Sequence, residues 1–184
     1  ALADTITGGA GVDSINGGAG SDIIVIPDST DGADYDQITG FTTTADDIKA
    51  LQSAHGWNSV DGTTTVLLST GATISAADNA ADSNIMTISA NVATHTYVTF
   101  LAGTSTYAQL ETAAALAMGD TGAADAATVA LVAIDDGTHT GLWQFTSGDD
   151  TTDDATATTE IELIGILKDV ANAAALVVGD FVFS

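Results

Sequence analysis

The sequence predicts a mainly β protein, in which a short N-terminal parallel β-roll precedes an antiparallel β-sandwich-like domain with one helix. Three observations support this prediction. Two glycine-rich nonapeptides stand in tandem near the N-terminus, short runs of strand-favouring residues separated by turn residues follow, and one stretch near residues 107–118 has a helical pattern. We place the roll and its cap at residues 1–51 and the β-rich domain at residues 52–184.

The two nonapeptides, residues 8–16 and 17–25, share the form G-G-x-G-x-D-x-U-x, where U is a large aliphatic residue. Glycine reaches positive φ, so the backbone can turn sharply and point its carbonyls at an ion. The aspartate adds a carboxylate, and such hard oxygens suit Ca²⁺, which takes about 6–8 of them. One turn supplies too few oxygens, so stacked turns must share each ion. Metal binding and folding are then coupled.

Each repeat is expected to add a strand after its turn. Strand alternation predicts that Ile15 and Ile23 point into the core and that Asn16 and Ile24 point away. A partial unit, Asp4–Thr7, precedes the two full units and fits only the D-x-U-x half of the pattern. The alternative is a flexible Gly/Asp-rich linker. Two complete units in the same register argue against it.

Downstream of the repeats, Asp36, Ile38 and Phe41 form a D-x-I-x-x-F stretch, and residues 47–51 read D-I-K-A-L. Together with the nonapeptides, this stretch resembles the β-roll and cap of the RTX family of secreted proteins. The resemblance covers about the first 50 residues. This chain departs from the family pattern in the number of repeats: many family members carry long runs, whereas this chain has two full units.

The RTX resemblance implies a parallel β-roll that binds Ca²⁺ in its turns and a protein exported by type I secretion to the cell surface or the medium. By this resemblance, the calcium-site roles fall to Gly8, Gly9, Gly11, Asp13, Gly17, Gly18, Gly20 and Asp22, with Asp4 of the partial unit beside them.

The rest of the chain alternates strand-like runs with turns. Strands are predicted at 63–69, 85–89, 94–101, 128–134, 141–146 and 160–167. The helix is predicted within 104–119, where Thr106 and Gln109 can form a capping box. The final Asp180-Phe-Val-Phe resembles the acidic-then-apolar ending of type I secretion substrates. It also fits a last edge strand, and both interpretations stay open.

Composition limits the partners of the chain. It carries 25 acidic residues against only Lys49 and Lys168, for a formal net charge of −23. Nucleic acid and anionic membrane surfaces are poor partners because they require basic residues. Direct membrane insertion is not expected, since no apolar segment is long enough. Bound divalent cations would relieve the self-repulsion; a halophilic source would equally explain the charge. Without cysteine, there is no disulfide framework and no cysteine zinc site.

No catalytic motif stands out: the sequence lacks H-E-x-x-H, G-x-S-x-G and a phosphate-binding loop. We therefore predict that the chain is not an enzyme. His55, His95 and His139 are far apart and fit surface or core positions better than ligand positions. Trp57 and Trp143 fit core anchors better than binding platforms.

Acidic residues also cluster outside the repeats. For the three pairs, a solvated loop is the first interpretation, a further calcium site the second and acid–base catalysis the third. These pairs are Asp135/Asp136, Asp149/Asp150 and Asp153/Asp154. The run from Asp28 to Asp36 lacks the spacing of an EF-hand loop but could donate to a calcium at the cap.

These features predict a non-enzymatic extracellular protein, a calcium-dependent subunit of a bacterial surface layer or filament that joins copies of itself head to tail. A short roll leaves an open strand edge, which invites another chain. The alternative is a C-terminal secretion and folding module of a larger type I-secreted enzyme, toxin or adhesin. A carbohydrate-binding sandwich around Trp57 or Trp143 is a third hypothesis.

Overall fold

The computed structural model describes residues 2–26, 34–50, 85–89, 107–118, 129–146 and 161–183. It has ten strands in these residues: β1 Thr5–Thr7, β2 Ser14–Asn16, β3 Ile23–Val25, β4 Asp36–Thr39, β5 Asp47–Ala50, β6 Ile85–Ser89, β7 Val129–Asp135, β8 Thr140–Thr146, β9 Ile161–Leu167 and β10 Phe181–Phe183. Helix α1 spans Tyr107–Met118, and short 3₁₀ turns span Ala173–Ala175 and Val178–Asp180. The mainly β prediction is confirmed. The predicted strands at 63–69 and 94–101, and the Thr106 cap, lie outside the described residues.

The first five strands wind into a parallel roll. Successive strands alternate between two sheets, so β1 pairs with β3 and β3 with β5 in one sheet, while β2 pairs with β4 in the other. All of these pairings are parallel. The second sheet then continues in the order β2-β4-β9-β8-β7-β6 and is mixed, because β8 runs antiparallel to both of its neighbours. The region after the roll is therefore a mixed sheet, not the purely antiparallel one that we predict from the sequence.

Aliphatic side chains stack rung upon rung inside the roll. In the first sheet, Ile6 pairs with Ile24 and Ile24 with Ile48; in the second, Ile15 pairs with Ile38. The side chains of Ile24, Ile38 and Ile48 are fully buried. The prediction that Ile23 points inward and Ile24 away is wrong. Ile24 occupies the aliphatic position of its repeat, two residues after Asp22 as Ile15 is after Asp13, and a one-residue slip moves a side chain to the opposite face.

A second core lies on the other face of the mixed sheet. Strand β7 alternates its side chains, so Leu131 and Ala133 join the core of the roll while Val132 and Ile134 face helix α1. The helix contributes Leu110, Ala114 and Ala115 to this second core. The predicted helix is confirmed, and it covers a sheet face that would otherwise be exposed. Within the described residues, no helix combines the length and the apolar character that a membrane crossing requires.

The C-terminal part of the chain adds the next rung to the roll. Strand β9 lies beside β4, and β10 lies beside β5, both in parallel. Leu167 and Phe181 bury their side chains in the core of the roll, next to Ile38 and Ile48. Among the described strands, β10 lies at the edge of its sheet, which agrees with the edge-strand interpretation of residues 180–183. The domain boundary after residue 51 stays a prediction, but both sheets pair strands from either side of it.

Candidate metal centre

Glycines form the corners between the strands of the roll. Gly9, Gly11 and Gly18 have φ values of +105°, +98° and +84°, which L side chains rarely adopt. Gly20 stacks against the rung below, where an added Cβ would collide with the carbonyl oxygen of Leu2. Two properties of glycine, its left-handed backbone and its missing side chain, therefore make the corners as tight as the sequence predicts.

Aspartates stand at the corners and join one rung to the next. The backbone N–H of Asp4 donates to Asp22 Oδ1 at 2.9 Å, and that of Asp13 donates to Asp36 Oδ1 at 3.0 Å. The N–H of Asp22 in turn donates to Asp46 Oδ1 at 3.0 Å. We call Asp22, Asp36 and Asp46 the carboxylate ladder. Each member accepts one hydrogen bond from the main chain of the rung before it, which fixes the direction of its second oxygen.

Three aspartate oxygens at these corners are buried without a hydrogen-bond donor from any described residue: Asp13 Oδ2, Asp22 Oδ2 and Asp36 Oδ2. Asp22 and Asp36 are each only 1% exposed. A buried charged oxygen with no partner is strongly unfavourable, and such an atom in a native fold points to an ion or a water that satisfies it. A divalent cation with hard-ligand preference meets this requirement.

The first glycine of each repeat lies against these free oxygens. A Cβ on Gly8 would lie 2.6 Å from Asp36 Oδ2 and 3.0 Å from Asp13 Oδ2. A Cβ on Gly17 would lie 3.2 Å from Asp22 Oδ2. The structure thus brings Gly8 and Gly17 together with aspartates of the predicted site, and any side chain there would intrude on the space that the oxygens face.

Not every predicted site residue takes part in this arrangement. The side chain of Asp4 is exposed, and its main chain serves the ladder by donating to Asp22 and by accepting from the Ile23 N–H at 2.8 Å. Gly9, Gly11, Gly18 and Gly20 shape the corners. The assignment of the individual residues to calcium stays a prediction.

Sequence reasoning missed two further corner aspartates, Asp46 and Asp180. Asp46 is two residues before Ile48, which repeats the spacing of Asp13 to Ile15 and Asp22 to Ile24, so a search for D-x-I alone would have found it. Asp180 is fully buried, and its two oxygens accept from the N–H groups of Thr44 and Val177. It immediately precedes β10, so only the fold relates it to the ladder.

The pair Asp135 and Asp136 is not a solvated loop, and that interpretation is wrong. They are 4% and 2% exposed. Asp135 accepts from the N–H groups of Gly137 and Ala173, and Asp136 Oδ1 accepts from those of Thr138 and His139. These bonds close the β7–β8 hairpin and hold the first 3₁₀ turn. The pairs Asp149/Asp150 and Asp153/Asp154 lie outside the described residues.

Of the tryptophans and histidines considered in the sequence, the structure describes Trp143 and His139, and both have structural positions. Trp143 is fully buried in the second core, as expected of an anchor. His139 is half-buried, and its Nδ1 accepts from the Asp169 N–H at 2.9 Å, so it serves the structure of the hairpin. Trp57, His55 and His95 lie outside the described residues.

In the part of the chain that the structure describes, no group of three acidic or histidine side chains converges on one point. Any ion at the corners would therefore take its carboxylates in ones or twos. The remaining ligands would be backbone carbonyls, which Ca²⁺ accepts readily and which most transition metals do not prefer. The donor set fits calcium.

Parallel strands, glycine corners and buried aspartate oxygens together define a calcium-binding β-roll. Comparison with known proteins agrees: residues 1–25 match the family model described as "RTX calcium-binding nonapeptide repeat (4 copies)". This confirms the RTX resemblance of the repeats and calcium as the bound metal. The match covers the first three strands only. No curated protein and no solved structure matches the chain.

Burial raises the pKa of the Asp36 carboxyl from 3.8 to about 6; the negative charges of Asp13 and Asp34 add to this rise, and the hydrogen bond from the Asp13 amide opposes it. A raised pKa means that the fold without calcium favours the protonated acid. This contribution to stability is fully present below pH 3.8 and is lost as the pH rises through about 6.

We therefore expect the calcium-free protein to become more stable as it is acidified from neutral pH into that window. With calcium present the effect should reverse, because protons compete with the metal. Urea midpoints of calcium-stripped protein across this pH range would measure it. The general charge repulsion acts in the same direction, so Asp36→Asn is the control. If the variant shows the same pH slope as wild type, Asp36 is not the responsible group.

Proposed function

We propose that this chain is a non-enzymatic extracellular building block, a subunit of a bacterial surface layer or filament whose calcium-loaded rolls join head to tail. The RTX repeats support the extracellular part, because proteins with these repeats are typically secreted. Exposed apolar side chains in the first and last rungs of the roll support the proposal that the chain assembles with copies of itself.

Large hydrophobic side chains are exposed at four described positions, and all four lie at the ends of the roll. Leu2 and Val12, at 79% and 49% exposure, flank the first rung. Val177 and Val182, at 39% and 36%, belong to the C-terminal rung. We infer that these apolar side chains contact another protein. Two different end surfaces favour a heterologous contact, which grows into open filaments or sheets.

The strand directions allow the same contact. Strands β1 and β10 are the two edges of the first sheet, and they run in the same direction because every pairing between them is parallel. Among the described strands, each has a partner on one side only. A second copy could set its β1 beside β10 and continue the first sheet without a reversal of direction, whereas in the second sheet β8 already occupies the place beside β9. Unpaired edges of this kind favour addition of a further strand.

The test is the size of the particles formed in millimolar calcium and after addition of EGTA, measured by sedimentation and negative-stain microscopy. We expect extended assemblies with calcium and subunits without it. Leu2→Glu should block one end and Val182→Glu the other, so each variant alone stays monomeric while an equimolar mixture gives dimers. Thr138→Glu adds the same charge in the exposed β7–β8 turn and should assemble like wild type.

A folding module of a larger type I-secreted protein is the second proposal. The same open edges at β1 and β2 would equally accept further repeats of one longer chain. This proposal predicts a chain that folds with calcium yet remains monomeric at all concentrations. That outcome would contradict the building-block proposal and leave the calcium roll intact.

A further inference from the structure

We propose that Asp36, which lies outside the nonapeptide repeats, closes a calcium site together with Asp13 at the Gly8 corner, and that the neighbouring ladder member Asp46 binds no metal. The inference rests on the calcium binding of the repeats and not on assembly. It concerns a residue beyond the segment that matches the repeat family, which ends at residue 25.

The two oxygens of the Asp36 carboxylate have different surroundings, and one of them is available to bind a metal ion. Its Oδ1 is fixed by the N–H of Asp13 at 3.0 Å, while its Oδ2 is buried with no donor among the described residues. Asp13 Oδ2 is also buried without a donor among the described residues. Both free oxygens lie close to the position where a Gly8 Cβ would stand, at 2.6 Å and 3.0 Å from it. Because Gly8 has no side chain, both oxygens can approach its main chain.

The charges at this corner agree with a divalent cation. Two carboxylates, one from each of two adjacent rungs, match the charge of one Ca²⁺ ion. Strands β2 and β4 bring them together, because Ile15 pairs with Ile38 and each aspartate stands two residues before its isoleucine. The repeated D-x-I spacing therefore puts Asp36 one rung above Asp13 although its own segment has no glycine repeat.

Asp46 shows the opposite pattern at a similar depth, 2% exposed. Its Oδ1 accepts from the Asp22 N–H at 3.0 Å, and its Oδ2 accepts from the Thr42 N–H at 2.7 Å. The turn of residues 42–46 thus supplies a main-chain donor to Asp46, whereas no described residue donates to Asp36 Oδ2. Backbone N–H groups satisfy both oxygens, so Asp46 itself does not need an ion.

Asp36→Asn and Asp46→Asn form a matched pair, and calcium stoichiometry by equilibrium dialysis together with thermal melts in EGTA and in calcium separates them. We expect Asp36→Asn to bind one ion fewer, to melt no lower than wild type in EGTA, and to gain less from calcium. Asp46→Asn should bind the wild-type number of ions and melt lower in both conditions, because its single amide oxygen cannot accept from both Asp22 and Thr42.

A second variant keeps the test independent of the aspartate itself. Gly8→Ala should also lose one ion, whereas Gly179→Ala should not, since nothing lies within 4 Å of a Cβ at Gly179. Wild-type stoichiometry in Asp36→Asn, or a lost ion in Asp46→Asn, would overturn the assignment. If wild type itself bound no calcium, the calcium assignment of the repeats would fail first, and the two failures are therefore distinguishable.

Discussion

Removal of calcium at neutral pH is expected to destabilise the β-roll strongly, so that the roll and the C-terminal rung open far more often. Without the metal, three buried aspartate oxygens have no partner among the described residues. Each buried group left unsatisfied costs about 1–3 kcal/mol, and more when it is charged. Together this approaches the whole stability of a typical domain, which is about 5–15 kcal/mol. The formal net charge of −23 adds repulsion in the same direction.

Amide hydrogen exchange in calcium and in EGTA would measure this loss. We expect protection of β1 to β5 to fall sharply in EGTA, and that of β10 to fall with it, because β10 pairs with β5. Magnesium at the same concentration is the control: it demands strict octahedral geometry and gives up its water reluctantly, so it should not restore protection. Full protection of β3 and β5 in EGTA would mean that the roll is stable without metal.

Substitution of Asp180 by alanine is expected to detach the C-terminal rung. The carboxylate is fully buried and accepts from the N–H groups of Thr44 and Val177, which would both lose their acceptor. At about 1–3 kcal/mol for each unsatisfied group, we expect the free energy of unfolding in calcium to fall by about 3 kcal/mol. Because calcium binding and rung docking are linked through the same sheet, calcium affinity should fall as well.

Denaturant titrations in calcium, with a calcium titration alongside, would test the Asp180 prediction. Asp180→Asn keeps one acceptor oxygen and should lie between wild type and Asp180→Ala. Thr138→Ala, in the exposed β7–β8 turn, should change stability by less than about 0.5 kcal/mol. If Asp180→Ala unfolded at the same denaturant concentration as wild type, the C-terminal segment would not be an integral rung of the roll.

Local sequence patterns were sufficient to predict those strands and the helix that depend on interactions between neighbouring residues. Strands β7, β8 and β9 and helix α1 lie close to their predicted ranges, because alternation, turn residues and helical periodicity are properties of neighbouring residues. The one-residue error at Ile23 and Ile24 arose in a run of consecutive aliphatics, where alternation does not select a face. The D-x-I spacing would have selected it.

Asp135 and Asp136 illustrate where sequence reasoning fails. A D-D-G turn normally points to solvent, and the pair is buried here because residues 173–175 pack over it and Ala173 donates to Asp135. Sequence reasoning also fails for the mixed sheet. The parallel pairing of β4 with β9 joins residues more than a hundred positions apart, and no local pattern encodes such a pairing.

The sequence by itself determined the corners and the metal, since positive φ is intrinsic to glycine and affinity for calcium is intrinsic to carboxylate and carbonyl oxygens. The tertiary structure alone decided which aspartates keep an oxygen free. Asp36 and Asp46 share the same D-x-I spacing, yet Asp36 Oδ2 has no donor among the described residues and Asp46 receives two backbone N–H groups. The difference lies in which donors the neighbouring rungs bring within hydrogen-bonding distance, and that depends on the folded chain.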